Sequence, residues 1–362
     1  MFPSQEDKAK LRRWFGCYRA IYNDALTYMN ANRGRQREED EASLQSRFCS
    51  AKIKKRPNPY FEDKPYLLEL KSVCRKMAVR ELNAAVASNL AKKAKNPSHR
   101  FRLRYKKRRG TQTLPLESVC VTRLPSGNVK LFGKEFGKEG WPAGADGRDI
   151  TFDFDCTLHL DELGRYWIHA PVFAKEPAAP DDRKKCAIDP GVRSFLTVYD
   201  PDGGLYKLGH GCATPYFKQL LKLDGKLRLK NQLWKKRRGA TRGERKRGAQ
   251  PPRVGSHQQR RRLDREIRSL RARVKNMTAD LHWKCADFLT KNYDAIALPA
   301  FEAKRLSEKA TRTLTTKVVR AMTTLSHFTF RQRLLHKASL RGSTVIVPSE
   351  AYTTMTCTLC CT

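Results

Sequence analysis

From residue 184 onward the apolar residues spell an order of elements that few folds accommodate: three strands, helices, a strand, a helix and a strand. Cys186 to Tyr199 reads as a buried strand, a turn at Asp189-Pro190-Gly191 and a second strand. Asp200-Pro-Asp-Gly-Gly204 is a hairpin turn into a third strand, Leu205 to Leu208. From Pro215 to Lys291 the period is helical and the composition very basic, with an interruption by Gly, Arg and Pro at 239–255. A short apolar strand follows at Tyr293–Leu298. The spacing of Val318, Met322, Leu325, Phe328 and Leu335 predicts one helix over Thr313–Leu340, and Ser343–Val347 is a last strand. Strands that alternate with helices argue for an α/β layer with parallel strands in its middle.

The first half has a different texture. Residues 4–31 form one amphipathic helix, with Leu11, Trp14, Tyr18, Ile21, Ala25 and Met29 on its apolar face and Ser4 and Asp7 as cap residues. Residues 32–60 are polar and read as loop with at most short helices. A second helix is expected from Pro65 to Lys95, stopped by Pro97. Strand texture then takes over: His99–Tyr105 alternates Arg100, Arg102 and Arg104 with Phe101, Leu103 and Tyr105. Ile150–Leu158 alternates again, and the turn at Asp161–Gly164 joins it to Tyr166–Phe173 as a hairpin. The Pro-containing segment 174–182 is a linker and the main domain boundary. No solenoid-type repeat is present.

Composition bears on partners. The formal net charge is +38, which is self-repulsive in a compact chain and calls for a polyanion. Nucleic acid fits, because Lys and Arg on phosphates release counterions. A membrane surface does not fit: there are no lipidation signals, no amphipathic anchor and no apolar run near the roughly 20 residues a span requires. The polar, charged start is no signal peptide. Cys17, Cys49, Cys74, Cys120, Cys156, Cys186, Cys212 and Cys285 are scattered through apolar patterns and read as reduced thiols. Cys357, Cys360 and Cys361 crowd the last residues.

Two carboxylates stand where chemistry collects in such a sheet. Asp189 ends one apolar strand, and Glu302 closely follows another. Carboxylates from separate strands can share Mg²⁺, a hard ion suited to oxygen ligands, for phosphodiester hydrolysis. Ordinary turn chemistry at Asp189 and a helix start at Glu302 are the competing readings. Cys357 and Cys360 form a CxxC, half of a tetrahedral zinc site, with a redox pair as the alternative. The basic segment 226–273 contains Lys235-Lys236-Arg237-Arg238, Arg245-Lys-Arg247 and Arg260-Arg261-Arg262, with few acids to neutralise them. Phosphate contact is the expected role, against a solvated helix face or a nuclear localisation patch. Arg100, Arg102, Arg104, Lys106 and Lys107 are the second set of expected nucleic-acid contacts. Trp234 and Trp283 could stack bases but at helical spacing read as core, and His210, His282 and His327 read as structural.

Three strands in hairpin succession followed by helix-linked strands is the RNase H-like arrangement, and the motifs on it resemble a known family. Asp189-Pro-Gly-Val-Arg-Ser-Phe195 resembles the first RuvC motif of the Fanzor proteins, relatives of TnpB, and Ala297-Leu-Pro-Ala-Phe-Glu302 resembles the second. Leu325-Ser-His-Phe-Thr-Phe-Arg-Gln-Arg-Leu-Leu335 and Ser349-Glu-Ala-Tyr-Thr-Thr-Met-Thr-Cys357-Thr-Leu-Cys360 resemble the helix and zinc-ribbon entry that follow. Arg12-Arg-Trp-Phe-Gly16, Tyr22-Asn-Asp-Ala-Leu26, Arg80-Glu-Leu82 and Asn96-Pro-Ser-His-Arg-Phe101 match the earlier regions.

The resemblance implies an α+β multidomain chain. A helical recognition region would occupy 1–98 and a wedge-like β-barrel 99–182. An RNase H-like RuvC domain would occupy 183–350, with a basic helical insertion at 215–291, and the start of a zinc ribbon 351–362. It implies an RNA-guided DNA endonuclease with a guide RNA and a double-stranded DNA target as partners. Asp189 and Glu302 would hold Mg²⁺, and Cys357 and Cys360 part of a zinc site. The family's third acid and second cysteine pair have no counterpart in these residues, and Cys361 stands where the family has Gly. The first strand of the wedge barrel, due before Phe2, has none either. The expectation is a fragment or decayed copy that does not cut. Glu350, Asp200 and Asp202 are the candidate substitutes for the missing acid. The alternatives are a nuclease-dead nucleic-acid-binding protein or a transposase accessory protein. Localisation follows the host: nuclear in a eukaryote or its virus, cytoplasmic otherwise.

Overall fold

The structure, a computed structural model, describes residues 1–32, 41–133, 135–136, 139–142, 151–173, 184–243, 257–301, 303–308 and 313–348. Side chains at 234–243, 257, 304 and 305 are outside that description. The chain divides into two compact units, Met1–Phe173 and Ala174–Thr362.

The first unit is built on helix α1, Gln5–Ala31. Its start is fixed by Ser4, whose hydroxyl accepts from the Asp7 amide at 3.1 Å. Leu11, Trp14, Tyr18, Ile21 and Leu26 are essentially fully buried, as the period demands. Helix α2, Glu41–Cys49, comes next. A two-residue ribbon (β1, Lys52–Ile53; β2, Arg56–Pro57) and a short helix α3, Pro59–Glu62, complete the connection.

The expected helix over 65–95 is two pieces: a 3₁₀ turn at Pro65–Glu69 and helix α4, Ser72–Lys95. Arg75 accounts for the break. Its buried guanidinium donates to the carbonyls of Leu70 and Cys49, groups that a continuous helix would have used or excluded.

Five short strands follow: β3, Gln112–Leu116; β4, Val121–Arg123; β5, Val129–Leu131; β6, Cys156–Leu160; and β7, Tyr166–His169. They form a three-stranded antiparallel sheet in the order β3-β6-β7 and a separate β4-β5 ribbon. Among the described residues no barrel closes, which corrects the expected wedge barrel. The run 99–107 belongs to no strand and pairs with none. Asn23 on α1 takes the place of a neighbouring strand there. Its amide donates to the Lys106 carbonyl at 3.1 Å and accepts from the Lys106 amide at 2.8 Å. The helices and the small sheets share one core, from Leu11 and Trp14 through Leu82 to Leu114 and Leu158.

The second unit opens with strands β8, Lys185–Pro190; β9, Leu196–Tyr199; and β10, Leu205–Leu208. Helices α5, Ala213–Gly243, and α6, His257–Asn292, follow. Strand β11, Ala295–Ala297, helices α7, Ala303–Leu306, α8, Thr316–Leu325, and α9, His327–Ser339, and strand β12, Thr344–Ile346, complete the order.

The five strands make one sheet, β10-β9-β8-β11-β12. The first three are antiparallel neighbours, and β11 runs parallel to both β8 and β12. Period 2 turns Cys186 and Ile188 of β8 to the core, with Leu196 and Val198 of β9, against Ala286 and Leu289 of α6 and Phe330 and Leu334 of α9. Lys185, Ala187 and Asp189 of β8 are exposed on the other side. A smaller cluster of Leu220, Leu223, Leu263 and Ile267 holds α5 against α6.

The single helix expected over 313–340 is α8 and α9, broken at Ser326, which adopts the left-handed conformation at φ 50°. Side chains of α6 satisfy the carbonyls freed there. His282 Nε2 sits 2.7 Å from the Leu325 oxygen, and the Thr278 hydroxyl donates to the Thr324 oxygen.

Candidate metal centre and nucleic-acid surface

Asp189 lies at the carboxyl end of β8, the middle strand of the five, on the exposed side of the sheet. The turn behind it is tight: the Gly191 amide donates to the Phe195 carbonyl at 3.1 Å. A Cβ at Gly191 would stand 2.8 Å from the Ser194 oxygen, so only glycine fits. In a chain with 74 Lys and Arg residues, Asp189 makes no ion pair or side-chain hydrogen bond among the described residues. Its carboxylate therefore retains its oxygen lone pairs for another ligand.

β11 runs parallel to β8, with Ala297 opposite Ala187, so the segment after β11 leaves the sheet at the Asp189 end. Glu302 itself, like Glu350, Cys357, Cys360 and Cys361, lies outside the described residues. Among the described residues no three His, Cys, Asp or Glu side chains cluster as a metal site. Asp200 and Asp202 fall at the far end of the sheet. Tyr199, just before them, pairs with Ala187, and Asp200 accepts from the Tyr293 hydroxyl at 3.0 Å. They cannot replace an acid beside Asp189.

A small cleft with a cavity volume of about 20 Å³ opens beside this strand end, lined by Pro190, Pro299, Phe301, His327, Phe328 and Arg331. His327 is 4% exposed, and neither ring nitrogen has a hydrogen-bond partner among the described residues. Burial pushes its pKa down to about 4, with the Gly191 backbone opposing. His282 is likewise pushed down to about 4 by burial. The two imidazoles stack on opposite neighbours of one ring system: Phe195 lies 4.8 Å from His327 and 5.2 Å from His282. His282 and His327 are thus core residues, as expected. His210 faces the Ser194 hydroxyl at 3.0 Å.

The expected phosphate contacts divide. Arg100, Arg102, Arg104 and Lys107 are exposed along the extended run. Lys106 is turned inward: its ammonium meets Glu81 at 2.7 Å and lies over the Tyr22 ring at 4.8 Å. On α6, Arg261 and Arg262 are exposed, although Arg262 also meets Glu266 at 3.1 Å. Arg260 is half-buried, and its Nε has no partner among the described residues. Lys235, Lys236, Arg237 and Arg238 belong to α5, with side chains outside the description. Arg265, Arg271, Arg273 and Lys275 are exposed farther along α6 and were not among the residues singled out from sequence. Trp283 is no core residue: it is 42% exposed, with the Arg333 guanidinium 5.6 Å from its ring. The side chain of Trp234 is outside the description.

The split between Lys106 and Lys107 yields a paired test. Lys106→Ala removes an ion pair and a cation–π contact and should lower stability by about 1–2 kcal/mol in urea melts. Lys107→Ala should stay within about 0.5 kcal/mol of the parent. Only the second should weaken nucleic-acid binding through a lost phosphate contact. Equal effects of the two changes on stability would contradict the assignment.

Residues 1–38 match the family model described as a helix-turn-helix domain, of the OrfB/IS605 type; in the structure that stretch is mostly the single helix α1. The "Putative transposase A625R" of Paramecium bursaria Chlorella virus 1 is 26% identical over 99% of this chain and 77% of its own length. The "TnpB-like protein L770" of Acanthamoeba polyphaga mimivirus is 23% identical over 99% of the chain and 65% of its own length. A "Putative RNA-guided DNA endonuclease" of Streptomyces pristinaespiralis is 28% identical over 54% of the chain and 46% of its own length. These relatives are putative transposases, TnpB-like proteins and a putative RNA-guided DNA endonuclease. More narrowly, the chain is similar over nearly its whole length to TnpB-like proteins. No helix among its described residues is long and apolar enough to cross a membrane.

Proposed function

We propose that this chain is an RNA-guided DNA endonuclease of the Fanzor/TnpB kind, with Asp189 and Glu302 as acids of a RuvC-like, RNase H-like site. One observation carries the reading: an exposed carboxylate with no cationic partner among the described residues, Asp189, ends the middle strand of a mixed sheet in a chain of net charge +38. That placement suits a hard divalent cation, and exposed oxygen donors are the chemistry Mg²⁺ selects. Bound Mg²⁺ supplies activation of water and neutralisation of charge on phosphate oxygens. Asp189 would hold the ion at the strand end, and Glu302, arriving after β11, would hold it from the neighbouring strand. Gly191 keeps the turn close so that the carboxylate is presented outward. The exposed arginines of 100–104 and of α6 would carry the phosphates of a guide RNA and of the DNA paired with it. Cys357 and Cys360 would supply thiolates to a zinc ion. This division of labour is supported by the similarity to the Streptomyces protein, whose name describes that activity.

The test is a nicking assay on supercoiled plasmid with Mg²⁺ and a guide RNA taken from sequence adjoining the coding region. Cleavage that is lost in both Asp189→Ala and Glu302→Ala supports the proposal. Cleavage that survives Asp189→Ala overturns it. The alternative reading is a nucleic-acid-binding protein without nuclease activity. Tight binding with no cleavage by the parent chain would select that reading.

A further inference from the structure

Phe328 is the first-turn residue of α9 that the core does not absorb. Its neighbours Phe330 and His327 are buried, whereas Phe328 is 63% exposed. The Arg331 guanidinium, one turn along, lies 5.5 Å from its ring centroid. Both residues line the cleft at the Asp189 strand end, together with Pro190, which directly follows Asp189. The inner wall of the same cleft holds His327, nine-tenths buried and with neither ring nitrogen hydrogen-bonded among the described residues. An exposed aromatic face, an adjacent cation and a buried imidazole share one concavity.

Resting on the reading above, we infer that Phe328 and Arg331 form a stacking platform for one unpaired nucleobase of the strand whose phosphate lies at Asp189. The occupant follows from the chemistry. The chain's net charge of +38 repels basic partners and favours an anionic one. A nucleobase has a π-face for Phe328, and its phosphate brings the charge that Arg331 complements. A base paired in a duplex has no free face to offer, so the platform selects single-stranded character beside the cut. Phe328 acts by positioning the strand; it touches no reacting atom in this scheme. The charges of 100–104 and α6 hold the backbone without regard to base, so the platform is where the site distinguishes an open strand from a duplex.

The test uses the full chain and a single-stranded oligonucleotide carrying 2-aminopurine, with a duplex of the same sequence as control. Stacking on Phe328 should quench the probe on binding by the parent and by Phe328→Trp. Phe328→Ala should abolish the quench and weaken single-strand binding roughly 5- to 100-fold, while duplex binding and the slope of affinity against salt stay unchanged. Because Phe328 is exposed, thermal melts of the variant should match the parent. A quench that persists in Phe328→Ala, or an equal loss for single strand and duplex, overturns the platform and leaves the nuclease reading standing. Failure of the parent to bind either form at low salt overturns both.

Discussion

Binding to structured RNA or to an RNA–DNA hybrid should fall on the order of 10³-fold as salt rises from about 50 to about 200 mM. The size of this effect follows from the number of cations in reach. Arg100, Arg102, Arg104, Lys107, Arg261 and Arg262 are all exposed, and each phosphate they neutralise releases condensed counterions. The logarithm of affinity then falls linearly with the logarithm of salt, with a slope set by the number of contacts. Internal pairing does little to reduce the set: Glu266 takes Lys226 and Arg262, and Asp264 takes Lys230. Arg265, Arg271, Arg273 and Lys275 remain exposed on α6 beyond those pairs. Filter binding across a salt series, repeated with Arg100, Arg102 and Arg104 changed together to Gln, should show a shallower slope for the variant. A slope near zero in the parent would remove polyanion binding from the account.

Acid should open the second unit before the first. His282 and His327 are held neutral, their pKa values pushed down by burial from 6.5 to about 4. The unfolded chain takes up these protons below about pH 6.5, the folded chain only below about 4, so stability falls with falling pH throughout that window. At pH 4.5 the two sites together would cost about 5 kcal/mol, roughly 2.5 each. Carboxylates held low, such as Asp287 beside Lys291 and Arg341 at about 2, act below that window. Their contribution is present above the ordinary carboxylate pKa of 3.8 and is lost only as pH falls beneath it. The first unit has a smaller liability of the same sign in His159, lowered by burial and by His169. Amide exchange at pH 7 and pH 4.5 should therefore show protection lost in β8, α6 and α9 while α1 and α4 keep theirs. His327→Phe should recover part of the loss, because phenylalanine keeps the stack on Phe195 and takes up no proton. Uniform loss across both units would contradict this account of the histidine pair.

The elements that sequence made legible are those with strong periodicity and local punctuation. Helix α1 begins and ends within a residue of its expected span because Ser4 caps it and its apolar face is continuous. The order of strands in the second unit follows from short apolar runs separated by Pro-Gly and Asp-Gly turns. The breaks at Leu70–Lys71 and Ser326 were not legible, because both are set by distant groups. Arg75 draws off the carbonyls of Leu70 and Cys49, and His282 and Thr278 receive those of Leu325 and Thr324. The alternation at 99–105 reads as strand, yet no residue there joins one; the Asn23 side chain meets the neighbouring backbone at Lys106. The place of Asp189 at a strand end was legible from the apolar run before it and the Pro-Gly turn after it. The inward turn of Lys106 was not, because Glu81 and Tyr22 lie far from it in sequence. Phe328 read as a core position from its helical spacing; only the break at Ser326 re-aims the following turn and leaves that ring exposed.

The central claim is that Asp189 and Glu302 share a divalent cation, and iron-directed self-cleavage tests it without requiring nuclease activity. Fe²⁺ takes oxygen ligands as Mg²⁺ does, and with ascorbate and peroxide it generates radicals that cut the polypeptide next to the ion. The account predicts two sets of fragments, ending near residues 189 and 302, suppressed by excess Mg²⁺ and absent in Asp189→Ala. Cleavage at neither position, or cleavage that Asp189→Ala leaves intact, would contradict it.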